Sequence, residues 1–514
     1  MTEAFDYSAT AARASPATDP PSPALASVDA LLVDGGDARI RRDRATGLNQ
    51  YGCSPRPEER LSDFASSTAS SISPRGYAAA SALRERLAAR TGGEPPASAY
   101  GRELARIRHE LVRLCGLEQM PGLDIIFAAS GTDLHLLAAA LVGGSPERPL
   151  LCIDVEPEET GSGVPAALAG RHFSTVTALG ESVVQGDPLG AHGEFRAVRA
   201  RDRDGRLRAT ADIEAELDAA VHAAAKAGRR ALLNLADVSK TGLISPAPET
   251  AMALARRFPR ALEVMVDACQ FRLSPETLRA YLKQGFMVAV TGSKFLTGPT
   301  FAGALFVPER AADRLKSRLL PKGLSAYSAR ADWPQGWVAG ASLPEAANFG
   351  LLLRWEAALA ELSAFRALPQ PEVEGFMRTF ARIVRQRLAD DPAFELLATR
   401  RLDRGAIGAF TSWDRSATIF PFLLRHTSGG RRGPLSLAET EAIYRSLAGV
   451  GRTRFGQPVR AGERDGAPVA ALRLCNSARL VTEALGPGGD PAAVLSRALT
   501  ALDRVSRAVD GLPG

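Results

Sequence analysis

Cysteine is scarce in this chain, and none of it is clustered. Cys53, Cys115, Cys152, Cys269 and Cys475 are an odd number, far apart, with no Cys-x-x-Cys pair. That excludes a disulfide framework or a cysteine zinc site and predicts reduced thiols in a cytoplasm. No run of eighteen apolar residues occurs, and the N-terminus lacks a charged region followed by an apolar one. Neither a membrane-spanning helix nor an export signal is therefore expected. The net charge of +6 comes mostly from arginines spread along the length, without a Lys/Arg block or an aromatic-interleaved basic patch. Nucleic-acid binding is not expected from such a pattern. What remains, at 45% hydrophobic and 23% charged over 514 residues, is a soluble globular composition with room for more than one domain.

The densest chemical signal lies in Val264-Met-Val-Asp-Ala-Cys-Gln270 and, one helix and one strand later, Ala289-Val-Thr-Gly-Ser-Lys294-Phe. Asp267 and Lys294 fall at successive strand ends. A lysine amine can condense with an aldehyde as a Schiff base, and a carboxylate can keep a pyridine nitrogen protonated so that the ring accepts electrons. Either residue alone is ordinary: a buried Asp caps helices, and a loop lysine is usually solvated. Together they point to pyridoxal 5'-phosphate (PLP).

Asp267 with Gln270, then Thr291-Gly-Ser-Lys294 ahead of Gly298-Pro and Ala302-Gly-Ala-Leu-Phe-Val-Pro308, resembles the fold-type I PLP superfamily. Within it the likeness is to the class V aminotransferase and cysteine desulfurase branch, over roughly residues 75–500. The resemblance implies that Asp267 meets the pyridine nitrogen, that Lys294 is the Schiff-base lysine and that Gln270 lies beside the ring hydroxyl or the lysine linkage.

A short apolar strand, 124–128, breaks into Ser130-Gly131-Thr132 and runs into a helix. Such a turn aims free amides and the helix dipole at one point, where a phosphate is stabilised, although Ser and Thr are also ordinary N-caps. The three residues resemble the family's phosphate turn. Ser239 or Thr241 stands where relatives carry an Asn contacting the ring oxygen. Ser293 replaces a common His and, like Thr291, offers a hydroxyl for phosphate. For the ring face Thr160, Glu159 and His172 stay open. Arg473, in Val469-Ala-Ala-Leu-Arg-Leu-Cys475, resembles the family's arginine for the substrate carboxylate; the alternative is an edge-strand arginine. Ser342, in Ala341-Ser-Leu-Pro344, resembles the residue that reaches the phosphate of a partner subunit, so a homodimer is implied.

From residue 124 apolar strand candidates (124–128, 150–155, 172–178, 230–236, 262–266, 286–291, 302–307) alternate with helical segments such as 212–229 and 248–258. That pattern predicts an α/β fold with a mainly parallel sheet covered on both faces. Seven strands is the number a fold-type I PLP transferase implies for its large domain. The expected division is a disordered tail at 1–35, a segment at 36–120 packing on the small domain, a large PLP-binding domain at 121–345, and a linking helix and small α/β domain at 346–514. The small domain opens with an amphipathic helix at 371–385 and has strand candidates at 416–424 and 469–474. The polar stretch 180–210 reads as a surface insertion, and the serine-rich run 66–74 as a solvated loop, with a place at the entrance to the site as the alternative.

Which bond of the substrate breaks depends on how the protein orients it. A desulfurase needs a mobile acceptor cysteine in the second half, and only Cys475, on a predicted strand, lies beyond the lysine. The leading expectation is an aminotransferase acting on an amino acid or amine. The alternatives are a carbon–sulfur or other β-eliminating lyase, and a PLP-binding regulatory domain without turnover.

Overall fold

The computed structural model describes residues 25–90, 94–408, 412–427, 432–449 and 452–511. Among these, seven strands form the path of the larger sheet. They run in the order Asp124–Ala128, Gly303–Val307, Met287–Thr291, Leu262–Ala268, Ala231–Asp237, Leu150–Asp154, Gly193–Ala197. Gly303–Val307 is antiparallel to both neighbours and the other pairs are parallel. Ile244–Ser245 adds a short antiparallel piece beside Ala231–Asp237.

The apolar runs follow from burial on both faces. Alternate residues point into two separate cores: Val264, Val266, Val288 and Val290 into one, Met265, Met287 and Ala289 into the other. With a period of two and both sides covered, no polar alternation survives. The helix Gly131–Val142 packs into the second core, all its residues from Thr132 onward being buried.

Two expectations change here. Residues 172–178 are not a strand; Phe173, Val176 and Ala178 are buried from irregular backbone. The edge strand is instead Gly193–Ala197, inside the stretch expected as an insertion. Its residues Glu194 and Arg196 face solvent, so an edge strand reads as polar sequence. The expected disordered tail also gives way before residue 35, since Val28–Leu32 is a helix capped by Ser27 that buries Leu31 and Leu32. Residues 1–24 lie outside the described residues.

The smaller sheet runs Ser62–Phe64, Thr453–Arg464, Ala467–Cys475, Ile419–Leu424, Phe394–Leu396. Its first strand comes from the N-terminal segment and pairs in parallel, Ser62 to Thr453 and Phe64 to Phe455. Thr453–Arg464 escaped sequence reading because Gly456, Pro458 and two register shifts break its pattern. Phe349–Arg366 links the two sheets as a helix with most of its residues buried. Its buried Arg354 donates to the carbonyl of Gly35 at 2.8 Å and to that of Phe301, which ties the N-terminal segment to the lysine loop.

Asp237, at the end of its strand, is fully buried against Arg404 and accepts from Tyr281 Oη at 2.6 Å and Arg404 Nε at 2.7 Å. Removing one partner of a buried pair leaves the other uncompensated. Asp237→Ala is expected to cost about 3–5 kcal/mol, measured as a shift of the urea midpoint; a shift under about 1 kcal/mol would show that Arg404 finds another acceptor.

Candidate active site

The parallel strands end together, and the candidate residues gather there, as ligand sites of open α/β sheets do. Asp267, the penultimate residue of its strand, accepts the amide of Cys269 at 3.0 Å. His135 stands behind it, one turn into the helix after Ser130. Its Nδ1 donates to the carbonyl of Gly131 at 2.7 Å, and its Nε2 lies 3.4 Å from Asp267 Oδ2 and 3.7 Å from Asp154 Oδ2.

Burial opposes charge on all three. It pulls His135 down, but Asp267 and then Asp154 outweigh it and raise the imidazole to about 9. Burial likewise pushes Asp267 up, yet His135, followed by Lys294, holds its carboxyl well below the ordinary range. Asp154 is pushed up to about 7 by burial, against the pull of His135. The result is one carboxylate kept ionised in a dry place, carried by an imidazolium.

Lys294 is half-buried, and its ammonium donates to no acceptor among the described residues. Its loop is rigid around it. Phe295 stacks on Trp413 at 5.1 Å and meets Phe365 edge-on, and the amide of Thr297 closes on the Lys294 carbonyl at 2.9 Å. Gly292 is required by close approach, because a Cβ there would sit 2.5 Å from the Ala358 Cβ of the linking helix.

The turn at Ser130 caps the helix Gly131–Val142, so the first amides, of Gly131 and Thr132, have no acceptor within it. The Ser130 hydroxyl itself donates to the Asp133 carboxyl and accepts the Asp133 amide. Thr132 Oγ1 accepts from Arg39 Nη2 at 3.2 Å. Thr291 donates its hydroxyl to the Cys269 carbonyl at 2.6 Å, whereas Ser293 has only a 3.5 Å contact with Thr291. Of those two, Ser293 keeps the available donor.

Ser239 and Thr241 are engaged as well. Both hydroxyls donate to Glu159, at 2.6 Å each, while Ser239 accepts the Leu243 amide and Thr241 accepts from Arg201. The one proton each hydroxyl carries is already donated, so in this arrangement neither offers a donor to a ring oxygen. Glu159 is thereby locked, and His172 is stacked on Tyr327 with Nδ1 2.8 Å from its hydroxyl. The hydroxyl of Thr160 is buried and has no hydrogen-bond partner among the described residues.

Gln270 donates to the Ser67 carbonyl at 2.9 Å and accepts weakly from Arg272. That contact brings the serine-rich run of the N-terminal segment to the site, with the hydroxyls of Ser67 and Ser70 buried and unpartnered. Arg473 lies on an interior strand, not an edge, and is 1% exposed. Its guanidinium donates to Thr68 Oγ1 at 2.9 Å and to the carbonyls of Lys240 and Gln457, all neutral, and Nε has no partner. A buried cation without a counter-ion is costly, and an anionic ligand relieves that cost. Ser342 is exposed, its hydroxyl 3.4 Å from the Ala339 carbonyl, and is not gathered with the others.

Sequence reading missed His135 and Arg39. The first had a signal, a lone imidazole in an otherwise apolar helix. The second, from the N-terminal segment, had none.

No protein-family model matches the chain, and no curated protein does. Solved structures do. The cystine C–S lyase C-DES with its product cysteine persulfide is similar at TM-score 0.51 and 16% identity, over 86% of this chain and 98% of that one. The cysteine desulfurase CsdA of Escherichia coli matches at TM-score 0.51 and 15% identity, over 88% and 96%. TDC of Oryza sativa with PLP and tryptamine matches at TM-score 0.52 and 14% identity, over 96% and 89%. The chain has the fold of these proteins, the fold-type I architecture of PLP-dependent enzymes.

Proposed function

We propose that this protein is a PLP-dependent enzyme that binds its cofactor through Lys294 and transfers the amino group of an amino acid or amine. The observation that carries the reading is Lys294, whose ammonium has no hydrogen-bond acceptor among the described residues, just past the strand end and close enough to act on an Asp267 whose charge is maintained by His135. When bound, the cofactor supplies an electron-accepting ring that stabilises negative charge on the substrate carbon next to nitrogen.

The chain's own groups do the rest. The Asp267 carboxylate would hold the proton of the ring nitrogen, and Lys294 Nζ would take and return the substrate proton. The Gly131 and Thr132 amides, with Thr132 Oγ1 and Ser293 Oγ, hold the phosphate. Arg473 holds the substrate carboxylate. All five cysteines are buried, so no mobile thiol acceptor of the kind a cysteine desulfurase needs is present, and a reducing compartment suits them. No helix among the described residues is long and apolar enough to cross a membrane.

The test is an amino-acid panel given to the cofactor-loaded protein. Conversion of the cofactor to its amine form, with release of a keto acid, is the expected result. Release of keto acid and ammonia with the aldehyde form restored would assign a β-eliminating lyase instead.

Arg473→Lys is expected to weaken amino-acid binding by about 1.5–3 kcal/mol while leaving the cofactor spectrum normal, because one ammonium cannot reproduce paired guanidinium contacts. An unchanged substrate constant would move the carboxylate site elsewhere. The exposed Ser342 fits a donor to the site of a second subunit, so sedimentation should show a homodimer; a fully active, cofactor-loaded monomer would contradict shared sites.

A further inference from the structure

On the outer side of the loop that carries Lys240 lies a groove of about 950 Å³, walled by the helix Gln370–Asp390, the chain after Phe394–Leu396 and the residues leading into Ile419–Leu424. Six arginines line it: Arg378, Arg382 and Arg385 on the helix, Arg400 and Arg401 on the loop, and Arg415 opposite. No aspartate or glutamate lines it, and no aromatic residue does. Arg378, Arg382 and Arg385 share one helix face and extend over about 10 Å at the helical rise.

Only part of this charge is met within the protein, and Arg415 is among those with a partner. Arg378 pairs with Glu374 at 2.9 Å, Arg385 lies over the ring of Phe420, and Arg400 donates to the Arg208 carbonyl. Arg382 and Arg401 are exposed and have no hydrogen-bond or ion-pair partner among the described residues. Like charges around one concavity repel and focus a positive potential into it, which an anionic ligand relieves. Guanidinium groups suit carboxylates, which they grip through paired donors.

We propose that this groove docks an acidic polypeptide segment. Its floor is aliphatic, with Leu396, 41% exposed, beside Leu402 and Ile419. Aliphatic contacts between carboxylate-binding arginines fit a segment in which Asp or Glu alternate with apolar side chains. A single-stranded nucleic acid would need aromatic faces on which its bases could stack, and the groove offers none. Two lining residues, Val238 and Gly242, bracket Ser239, Lys240 and Thr241. The docked segment would therefore sit behind the loop whose Lys240 carbonyl holds Arg473.

The test is fluorescence anisotropy with the full chain and a labelled peptide of alternating glutamate and leucine, at low and moderate salt. Saturable binding that weakens with salt is expected. It should weaken at least about tenfold in Arg382→Ser/Arg401→Ser, the scale of losing one charge-assisted contact. Both side chains are exposed and unpartnered, so the variant should fold, which circular dichroism checks; Arg206→Ser, outside the groove, should bind as the parent does. Absence of saturable binding overturns the proposal, and so does equal binding by the double variant. An oligonucleotide of matching charge that binds more tightly than the peptide, with the same arginine dependence, also overturns it and assigns the groove to nucleic acid.

Discussion

Lys294→Ala is expected to abolish covalent attachment of the cofactor and lower turnover by several orders of magnitude, with the fold intact. The expectation follows from the side chain's bonding: no hydrogen bond among the described residues depends on its ammonium, and His135 acts ahead of Lys294 in keeping Asp267 ionised. The loop stays in place through Phe295, clamped by Trp413 and Phe365, and through the backbone bond from Thr297 to residue 294. Thermal unfolding should therefore move little, within the range of a substitution that breaks no buried contact. The visible absorbance of the lysine-bound cofactor should disappear, and any cofactor held by the phosphate turn should leave on denaturing gel filtration. Retained turnover would remove Lys294 from the chemistry.

Asp267→Ala has a different signature. Cofactor attachment through Lys294 should persist, because the lysine and the turn amides are untouched. Turnover should fall by several orders of magnitude, since the ring nitrogen loses the charge that keeps it protonated. A second readout is internal to the protein. His135 is raised to about 9 against burial chiefly by Asp267, so the variant's imidazole should titrate at lower pH, observable by NMR on the protein without cofactor. Near-normal turnover would exclude Asp267 from the mechanism, and an unmoved His135 titration would show that Asp154 alone sustains it.

The sheet and its two central side chains were legible because their signals are local. Val264 to Val266 and Met287 to Thr291 read as buried strands from a few residues, and strand ends of such a sheet are where polar residues gather. What stayed hidden depends on partners distant in the chain. Ser239 and Thr241 looked like free hydroxyls until Glu159, on another loop, was seen to occupy both. The bond from the Ser130 hydroxyl to Asp133 is likewise invisible in the sequence pattern of a phosphate turn. Gly193–Ala197 was concealed by lying at the sheet edge, where exposed Glu194 and Arg196 make a strand read as a polar insertion. Arg39 reaches Thr132, in the turn after Asp124–Ala128, from the N-terminal segment, a proximity that only the folded chain creates.

The most direct test is to incubate the purified protein with pyridoxal 5'-phosphate, reduce it with borohydride and map the modified peptide by mass spectrometry. The account predicts that the reduced cofactor is found on Lys294, in the peptide containing Gly292-Ser-Lys-Phe295. Attachment to Lys240 or Lys322, or no stable attachment, would contradict it.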